Sequence, residues 1–283
     1  MSEPPDPTDL AVAVAHVALV QTAARTDSAA QRDSVAAWFD RLHTEPGPLP
    51  DLVVLPEGAM HDFGPVDHDL GAIAEPLDGP FVALLADQAK RLGGVVVGGM
   101  FERSDDGTRP YNTLVALGAD GTLQGVSRKA HLYDSFGFRE SDKLQPGPLV
   151  ASVVDVGSLR VGLMCCYDLR FPEYARLLVD AGADTLCVPA AWVRGPLKED
   201  HWTTLLRARA IENTCWVLGA AQTGDIYSGR SQVIDPMGVV VAAAGDEEAL
   251  VRASLPRQRL DAARRHNPAL EQRRARVVVP DSW

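Results

Sequence analysis

Short apolar runs alternate with segments of helical spacing along most of the chain, and Gly, Pro, Asn and Asp mark many of the boundaries between them. Apolar runs rich in Val and Leu are typical of buried strands, whereas apolar residues three and four positions apart predict a helix with one buried face. The predicted strands are residues 11–21, 51–55, 95–99, 113–117, 123–128, 159–166, 185–188, 215–221, 231–234, 239–243 and 250–255. The predicted helices are residues 27–42, 81–92, 172–180, 202–213 and 260–265.

Turn residues between neighbouring strands also predict hairpins, at Gly118-Ala119-Asp120-Gly121 and at Asp235-Pro236-Met237-Gly238. Alternating strands and helices predict a layered α/β fold, and the hairpins require mixed rather than purely parallel sheets. The chain contains no long linker and no short repeat. We therefore expect one domain over residues 11–275, with a disordered N-terminal tail at 1–10 and a C-terminal tail at 276–283.

Composition narrows the class of protein. The chain has 283 residues, 46% hydrophobic and 23% charged, so it can bury a large core. The net charge of −11 and the lack of a dense Lys/Arg run outside the C-terminal region argue against binding to nucleic acid. The apolar stretch 11–20 is too short to span a membrane. Four cysteines without metal-ligand spacing argue against a disulfide scaffold and a zinc site, so we expect a cytoplasmic protein with no metal and no cofactor.

Three polar side chains with complementary chemistry stand at the ends of three predicted strands. Glu57 follows residues 51–55, Lys129 follows 123–128, and Cys166 ends 159–166. Strand ends are where α/β folds gather catalytic groups. A carboxylate can take the proton of a thiol, and an ammonium can stabilise an oxyanion and help to hold the thiolate. Taken singly, they are equally typical of a core cysteine, a solvated glutamate and an edge lysine, and spacing alone does not decide.

Three segments resemble, in order, the catalytic motifs of the nitrilase superfamily, the carbon–nitrogen hydrolases. They are Leu55-Pro56-Glu57, the stretch Ser127-Arg128-Lys129-Ala130-His131-Leu132, and the stretch Cys166-Tyr167-Asp168-Leu169-Arg170-Phe171-Pro172-Glu173. A fourth, Arg139-Glu140-Ser141-Asp142, is similar to the segment that carries the family's second glutamate. The likeness extends over residues 11–275, and the ordered set is far more specific than any one motif.

The resemblance implies a four-layer αββα sandwich with two mixed β-sheets, which the family commonly pairs into homodimers or higher homo-oligomers. It also implies that Glu57 is the general base, Lys129 the oxyanion stabiliser and Cys166 the nucleophile. Glu140 is then the second carboxylate, which orients Lys129 or the substrate, and the backbone N–H of Tyr167 completes the oxyanion hole.

Cys165 is the alternative to Cys166 as the nucleophile. Neighbouring strand residues point to opposite faces, so only one of the two thiols is expected to enter the site. The resemblance of Cys166-Tyr167-Asp168 to the family motif selects Cys166 and leaves Cys165 in the core. We also expect Asp168 and Arg170 to form a structural ion pair that fixes this loop, and His131 to have a minor role at most.

The implied function is a cysteine-dependent amidohydrolase that cleaves a small carboxylic amide to acid and ammonia through a thioester. Tyr167-Asp168 is similar to the amidase branches, above all ω-amidases and deaminated-glutathione amidases, whereas nitrile-cleaving members carry Trp-Glu. The alternatives are an N-carbamoyl (ureido) amidohydrolase, a nitrilase, or a catalytically silent binding member of the fold. The intact Glu, Lys and Cys argue against the silent member.

The loop 131–139 is shorter than in those amidases, and it helps to shape the pocket. Tyr133, Phe136 and Arg139 are therefore candidate selectivity residues, and Arg139 is suited to a charge-assisted bond with a substrate carboxylate. Trp192 follows a strand end, where it either walls the pocket or packs in the core.

Overall fold

The computed structural model describes residues 13–105 and 107–279, which form fourteen strands and six α-helices. The strands are β1 (Val14–Gln21), β2 (Leu52–Val54), β3 (Val95–Glu102), β4 (Tyr111–Leu117), β5 (Leu123–Arg128), β6 (Asp134–Ser135), β7 (Phe138–Arg139), β8 (Val153–Val156), β9 (Leu159–Leu163), β10 (Thr185–Ala190), β11 (Trp216–Ala221), β12 (Gln232–Ile234), β13 (Val240–Ala243) and β14 (Ala249–Pro256). The helices are α1 (Ser28–Thr44), α2 (Leu70–Ile73), α3 (Pro80–Leu92), α4 (Pro172–Asp180), α5 (Lys198–Asn213) and α6 (Arg257–His266), with short 3-10 helices at Glu140–Asp142 and Cys166–Arg170.

The two large sheets share one pattern of strand directions. The strand order is β14-β1-β2-β3-β4-β5 in the first sheet and β8-β9-β10-β11-β12-β13 in the second. In each order the first pair is antiparallel, the next two pairs are parallel, and the last two are antiparallel. The prediction of mixed sheets is therefore confirmed, because hairpins and crossover connections both occur in each sheet.

The alternation of side chains along the strands shows that the two large sheets pack face to face. In β1, Val17 and Leu19 belong to a core cluster shared with the second sheet, α4 and α5, whereas Ala18 and Val20 belong to a cluster shared with α1 and α3. Successive side chains of a strand point to opposite faces, so one face of β1 packs against the second sheet and the other against α1 and α3. Helices α4 and α5 pack against strands of the second sheet. The predicted αββα sandwich is confirmed. Among the residues described, no helix is both long and apolar enough to cross a lipid bilayer.

Local signals set the helix boundaries. The Asp27 carboxylate accepts a hydrogen bond from the Ala30 N–H at 2.8 Å and caps α1. Helix α3 begins at Pro80 and stops at Gly93, whose φ of +68° lies in the left-handed region. These helices start and end within a few residues of the predicted positions, because caps, Pro and Gly act locally.

Two predictions around the site are wrong in detail. Strand β9 ends at Leu163 rather than at Cys166, because Cys166 has a φ of +45° and opens a 3-10 turn closed by the Asp168 N–H on the Cys165 carbonyl at 2.9 Å. The segment 131–139 is not a plain loop but holds the small β6–β7 hairpin. Its two turn residues both have positive φ, as a two-residue hairpin turn of the primed type requires.

The domain boundaries stay a prediction. The predicted N-terminal tail, residues 1–10, lies outside the described residues. Of the predicted C-terminal tail at 276–283, the structure describes residues 276–279, which contain neither helix nor strand.

Candidate active site

Glu57 lies at the centre of the predicted cluster, three residues beyond β2, and is only 1% exposed. Its Oε1 atom accepts hydrogen bonds from Lys129 Nζ at 2.8 Å and from Asn112 Nδ2 at 2.7 Å. Its Oε2 atom accepts from the Ala191 N–H at 2.6 Å. Three donors from three different elements therefore fix the orientation of this carboxylate.

The charges around Glu57 keep it ionised. Burial by itself raises the pKa of the Glu57 carboxyl, but the Lys129 ammonium and the hydrogen bonds outweigh burial and hold that pKa below its ordinary value. For Lys129, burial lowers the pKa, whereas the Glu140 and Glu57 carboxylates raise it well above the usual lysine range. The pair is thus charged in the resting protein, with Lys129 as a permanent cation.

Glu140 is the second carboxylate on Lys129, as its motif position suggested. Lys129 Nζ lies 2.9 Å from Glu140 Oε1 and 2.8 Å from Oε2, and Glu140 is 3% exposed. The Tyr133 N–H donates to Glu140 Oε2 at 2.6 Å. Burial and the charge of Glu57 raise the pKa of Glu140, while Lys129 opposes them. Glu140 therefore holds Lys129 and the start of the hairpin segment in place.

Cys165 lies in the core as predicted, but its thiol also reaches the Glu57 carboxylate. Cys165 Sγ lies 3.6 Å from Glu57 Oε1, and Cys166 lines the same cavity as Glu57. The argument from alternating strand faces fails because both residues lie beyond β9. Access still separates them, since Cys165 is fully buried, whereas Cys166 is 7% exposed and lines the cavity.

The Cys166 sulfur carries its proton in the resting protein. Burial raises the pKa of this thiol well above its ordinary value, and the charge of Glu57 adds to the rise against the opposing effect of Lys129. Lys129 favours the thiolate as expected, because it lowers the pKa of Cys166, but burial and the charge of Glu57 outweigh this effect. A nucleophilic role for this thiol therefore needs a base, and the Glu57 carboxylate, whose pKa is lowered, lines the same cavity.

Asp168 pairs with His131, not with Arg170 as predicted. Its Oδ1 atom accepts from the His131 N–H at 2.9 Å and lies 2.7 Å from His131 Nδ1, and its Oδ2 atom accepts from the Cys165 N–H at 3.2 Å. Asp168 is fully buried. It ties the lysine segment to the turn that carries Cys166, which gives His131 a larger structural role than expected.

A cavity with an enclosed volume of about 90 Å³ opens at Cys166. Six of its sixteen lining residues are aromatic, and Tyr133, Tyr167 and Trp192 are among these as the sequence suggested. Arg139 is not among its lining residues: its side chain is 71% exposed and its Nε lies 3.6 Å from Asp142 Oδ1. The β6–β7 hairpin turns the side chain of Arg139 away, so the prediction that it meets substrate is not supported.

Other cavity and cluster residues escaped sequence reasoning. Asn112 bridges the two carboxylates, with Nδ2 at 2.7 Å from Glu57 Oε1 and 3.3 Å from Glu140 Oε1. Its only sequence signal is a polar amide within a largely apolar strand. Lys198 and Tyr227 line the cavity from loops and helix ends far along the chain, and nothing in their local sequence marks them.

Sequence comparison places the chain among known proteins. The profile of the family described as carbon-nitrogen hydrolase matches residues 16–265. A deaminated glutathione amidase of Escherichia coli O157:H7 is 42% identical over 226 residues, covering 79% of this chain and 84% of that protein. An omega-amidase of Danio rerio is 35% identical over 235 residues, covering 79% of this chain and 82% of that protein.

Solved structures give the same fold. A carbon–nitrogen hydrolase superfamily protein of Xanthomonas campestris superposes with a TM-score of 0.83 at 30% identity, covering 94% of this chain and 100% of that chain. A branch 10 member of the nitrilase superfamily from Saccharomyces cerevisiae superposes with a TM-score of 0.82 at 29% identity, covering 93% of this chain and 97% of that one.

Proposed function

The chain belongs to the carbon–nitrogen hydrolase family and is a hydrolase that acts on C–N bonds, and on this premise we propose that it is an amidase that uses Cys166 as its nucleophile. The substrate is a small carboxylic amide, and the products are the acid and ammonia. One observation carries the proposal: the thiol of Cys166 lines the same cavity as a carboxylate, Glu57, that is ion-paired to the buried Lys129.

In the first half-reaction, Glu57 accepts the proton of Cys166 while the sulfur attacks the amide carbonyl carbon. The lowered pKa of Glu57 and the raised pKa of Cys166 mean that this transfer is coupled to attack rather than completed beforehand. Lys129 and the backbone N–H of Tyr167 stabilise the oxyanion that forms. The proton returns from Glu57 to the leaving nitrogen, the C–N bond breaks, and ammonia departs from a Cys166 thioester.

In the second half-reaction, water replaces ammonia. Glu57 removes a proton from the water as its oxygen attacks the thioester carbonyl, and the same donors hold the oxyanion. The C–S bond then breaks, the acid leaves, and the proton returns to the Cys166 sulfur. Glu57 acts as base and acid in turn, for which its fixed orientation by Asn112 and Ala191 is suited.

The alternatives remain nitrile or ureido hydrolysis and a silent binding role. The residues Tyr167-Asp168 after the nucleophile and the similarity to two proteins described as amidases favour the amide. The complete set of base, cation and thiol argues against a silent member. The predicted cytoplasmic location and homodimer or higher homo-oligomer stay proposals, which cell fractionation and light scattering will test.

The test is ammonia release from a panel of small amides, nitriles and ureido acids, with the wild-type protein and two alanine variants. We expect amides to be hydrolysed and Cys166→Ala to abolish the activity while keeping the thermal unfolding midpoint. Cys187→Ala is the matched control, since Cys187 is a fully buried thiol in β10 outside the cavity. Activity confined to nitriles or ureido acids, or an active Cys166→Ala protein, would refute the proposal.

A further inference from the structure

The candidate base and the candidate nucleophile belong to different sheets. Glu57 follows β2 of the first sheet, whereas Cys166 follows β9 of the second. The two sheets share one core cluster of apolar side chains, and apolar packing is not directional. Reaction rates, by contrast, are sensitive to displacements of about 1 Å between reacting groups. Directional contacts between the sheets are therefore needed to place Glu57 relative to the sheet that carries Cys166.

Gln222 makes such a contact. It directly follows β11 in the second sheet and is fully buried. Its Nε2 atom donates a hydrogen bond to the backbone carbonyl of Glu57 at 2.7 Å, across 165 positions of the chain. Its Oε1 atom accepts a hydrogen bond from the Ala24 N–H at 3.2 Å. Because both ends of the side-chain amide are bonded, its orientation is fixed, and it joins the segments that follow β1, β2 and β11.

The neighbouring strand of the second sheet holds the carboxylate of the same glutamate. The Ala191 N–H, directly after β10, donates to Glu57 Oε2 at 2.6 Å. The Gln222 N–H donates to the Ala190 carbonyl at 2.8 Å, so the two segments that hold Glu57 are bonded to each other. Glu57 is therefore held at its backbone and at its carboxylate by adjacent strand ends of the second sheet.

Gly58, the residue after Glu57, leaves room for this contact. Its φ of +63° lies in the left-handed region that favours glycine. A Cβ at this position would lie 3.0 Å from Gln222 Nε2 and 3.1 Å from the His61 carbonyl oxygen. Since such contacts are unusually short, a side chain here would displace the Gln222 amide from the Glu57 carbonyl. The backbone of this turn is thus shaped to receive the amide.

We propose that Gln222 is a positioning residue for the base: it fixes the Glu57 backbone against the second sheet, so that the carboxylate stays within reach of the Cys166 thiol. The inference rests on the proposed function, in which Glu57 takes the proton of Cys166. Gln222 is not among the residues that line the cavity, so it acts through Glu57 rather than on the substrate. Its loss should lower the rate of the chemical step with little effect on substrate binding.

Gln222→Met is the first variant, because it keeps the length of the side chain and removes the amide. We expect kcat for ammonia release to fall about tenfold to a hundredfold, the upper value being that for a displacement of about 1 Å, while KM changes less than about threefold. Gln232→Met is the matched control, since Gln232 is a buried glutamine of β12 whose Nε2 donates to Thr203 Oγ1 at 2.8 Å, outside the cavity. The control should leave kcat unchanged.

Gln222→Glu separates positioning from general damage to the fold. A protonated carboxyl group offers a donor and an acceptor as the amide does, whereas the ionised form turns only acceptors towards the Glu57 carbonyl. Burial raises the pKa of such a carboxyl above its ordinary value of about 4.3. The ratio of kcat for this variant to wild-type kcat should therefore be highest near pH 5 and fall about tenfold to a hundredfold towards pH 8.

A second readout does not require turnover. Iodoacetamide, a small neutral reagent, alkylates Cys166 as the thiol loses its proton, and peptide mass spectrometry locates the product. Gln222→Met should slow this alkylation about as much as it lowers kcat. If the wild-type protein releases no ammonia from any amide but Gln222→Met still slows alkylation, the amidase proposal fails and the positioning role stands.

Two results would refute the positioning role. The first is a folded Gln222→Met protein with the wild-type kcat and the wild-type rate of Cys166 alkylation. The second is a Gln222→Glu protein whose activity relative to wild type, measured by kcat or by alkylation, does not change with pH. If Gln222→Met does not fold, the pH profile of Gln222→Glu decides.

Discussion

Substituting Lys129 by Met removes the only cation between two buried carboxylates within the part of the chain that the structure describes. In the wild-type protein, Lys129 Nζ lies 2.8 Å from both Glu57 Oε1 and Glu140 Oε2, and all three residues are at most 3% exposed. Met fills much of the same volume, so the change is mainly one of charge. The substitution leaves Glu57 and Glu140 facing each other without a counter-ion.

The expected loss of stability follows from this burial. Breaking a buried ion pair from one side costs about 3–5 kcal/mol. For a chain of this size 1 kcal/mol shifts the unfolding midpoint by about 2–4 °C, so Lys129→Met should lower it by roughly 6–20 °C. The double variant Lys129→Met/Glu140→Gln should recover part of the loss, about 1–3 kcal/mol, because it removes the repulsion between the carboxylates.

The loss should depend on pH in a defined direction. In Lys129→Met the two carboxylates share one buried site, so one of them keeps its proton to a higher pH than in the unfolded chain. The folded state then binds more protons than the unfolded state, and stability falls as pH rises through that raised pKa. The deficit relative to wild type should therefore be larger near pH 8 than near pH 5.

The assay is thermal and urea unfolding followed by circular dichroism at both pH values, with Lys90→Met as a surface control expected to stay within about 0.5 kcal/mol of wild type. Wild-type stability of Lys129→Met at both pH values would refute the reasoning. So would a deficit that grows as pH falls, because it would mean that the carboxylates do not repel each other.

Three further outcomes follow from the same contacts. Asp168→Asn presents amide hydrogens to the Cys165 N–H and its neighbours, so the free energy of unfolding in urea should fall by about 1–3 kcal/mol and kcat should fall as well. Unchanged stability and kcat would contradict the role given to this carboxylate. Gly99→Ala places a Cβ 2.7 Å from the Glu57 Cα, so differential scanning calorimetry should show about 1–3 kcal/mol of destabilisation. Unchanged stability would disprove the close approach of Gly99 to the Glu57 backbone. Burial raises the pKa of Glu57, but the Lys129 charge outweighs burial and lowers it. As pH falls, kcat/KM should therefore decline only below the ordinary carboxyl pKa of about 4.3. A decline of kcat/KM that begins above this pH would contradict an ionised base.

The sequence predicted the parts of the molecule that depend on local signals. Helices α1, α3 and α4 were found nearly in place, because Asp27, Pro80, Gly93 and Pro172 act within one turn of the chain. Helix α2 was not predicted, and α5 begins four residues before its predicted start. The motif Leu55-Pro56-Glu57 also placed Glu57 correctly, just beyond the end of β2, because this motif is local in the sequence.

Long-range geometry accounts for what the sequence missed. Asn112 contacts Glu57 across 55 positions of the chain, and Lys198 meets Tyr133 across 65, so no local pattern could pair them. Strand β9 ends before both cysteines, so the rule of alternating strand faces does not apply to them, although Cys165 is buried in the core as predicted. The hairpin turn likewise carried Arg139 out of the cavity.

The most direct test of the central claim is to locate the acyl group during turnover. The wild-type protein is mixed with an amide it hydrolyses, quenched with acid within the first turnover, and mapped by peptide mass spectrometry. The account predicts a thioester on Cys166 that forms together with the first equivalent of ammonia and disappears as the acid is released. An acyl group on Cys165 or on another residue, or full ammonia release by Cys166→Ala, would contradict it.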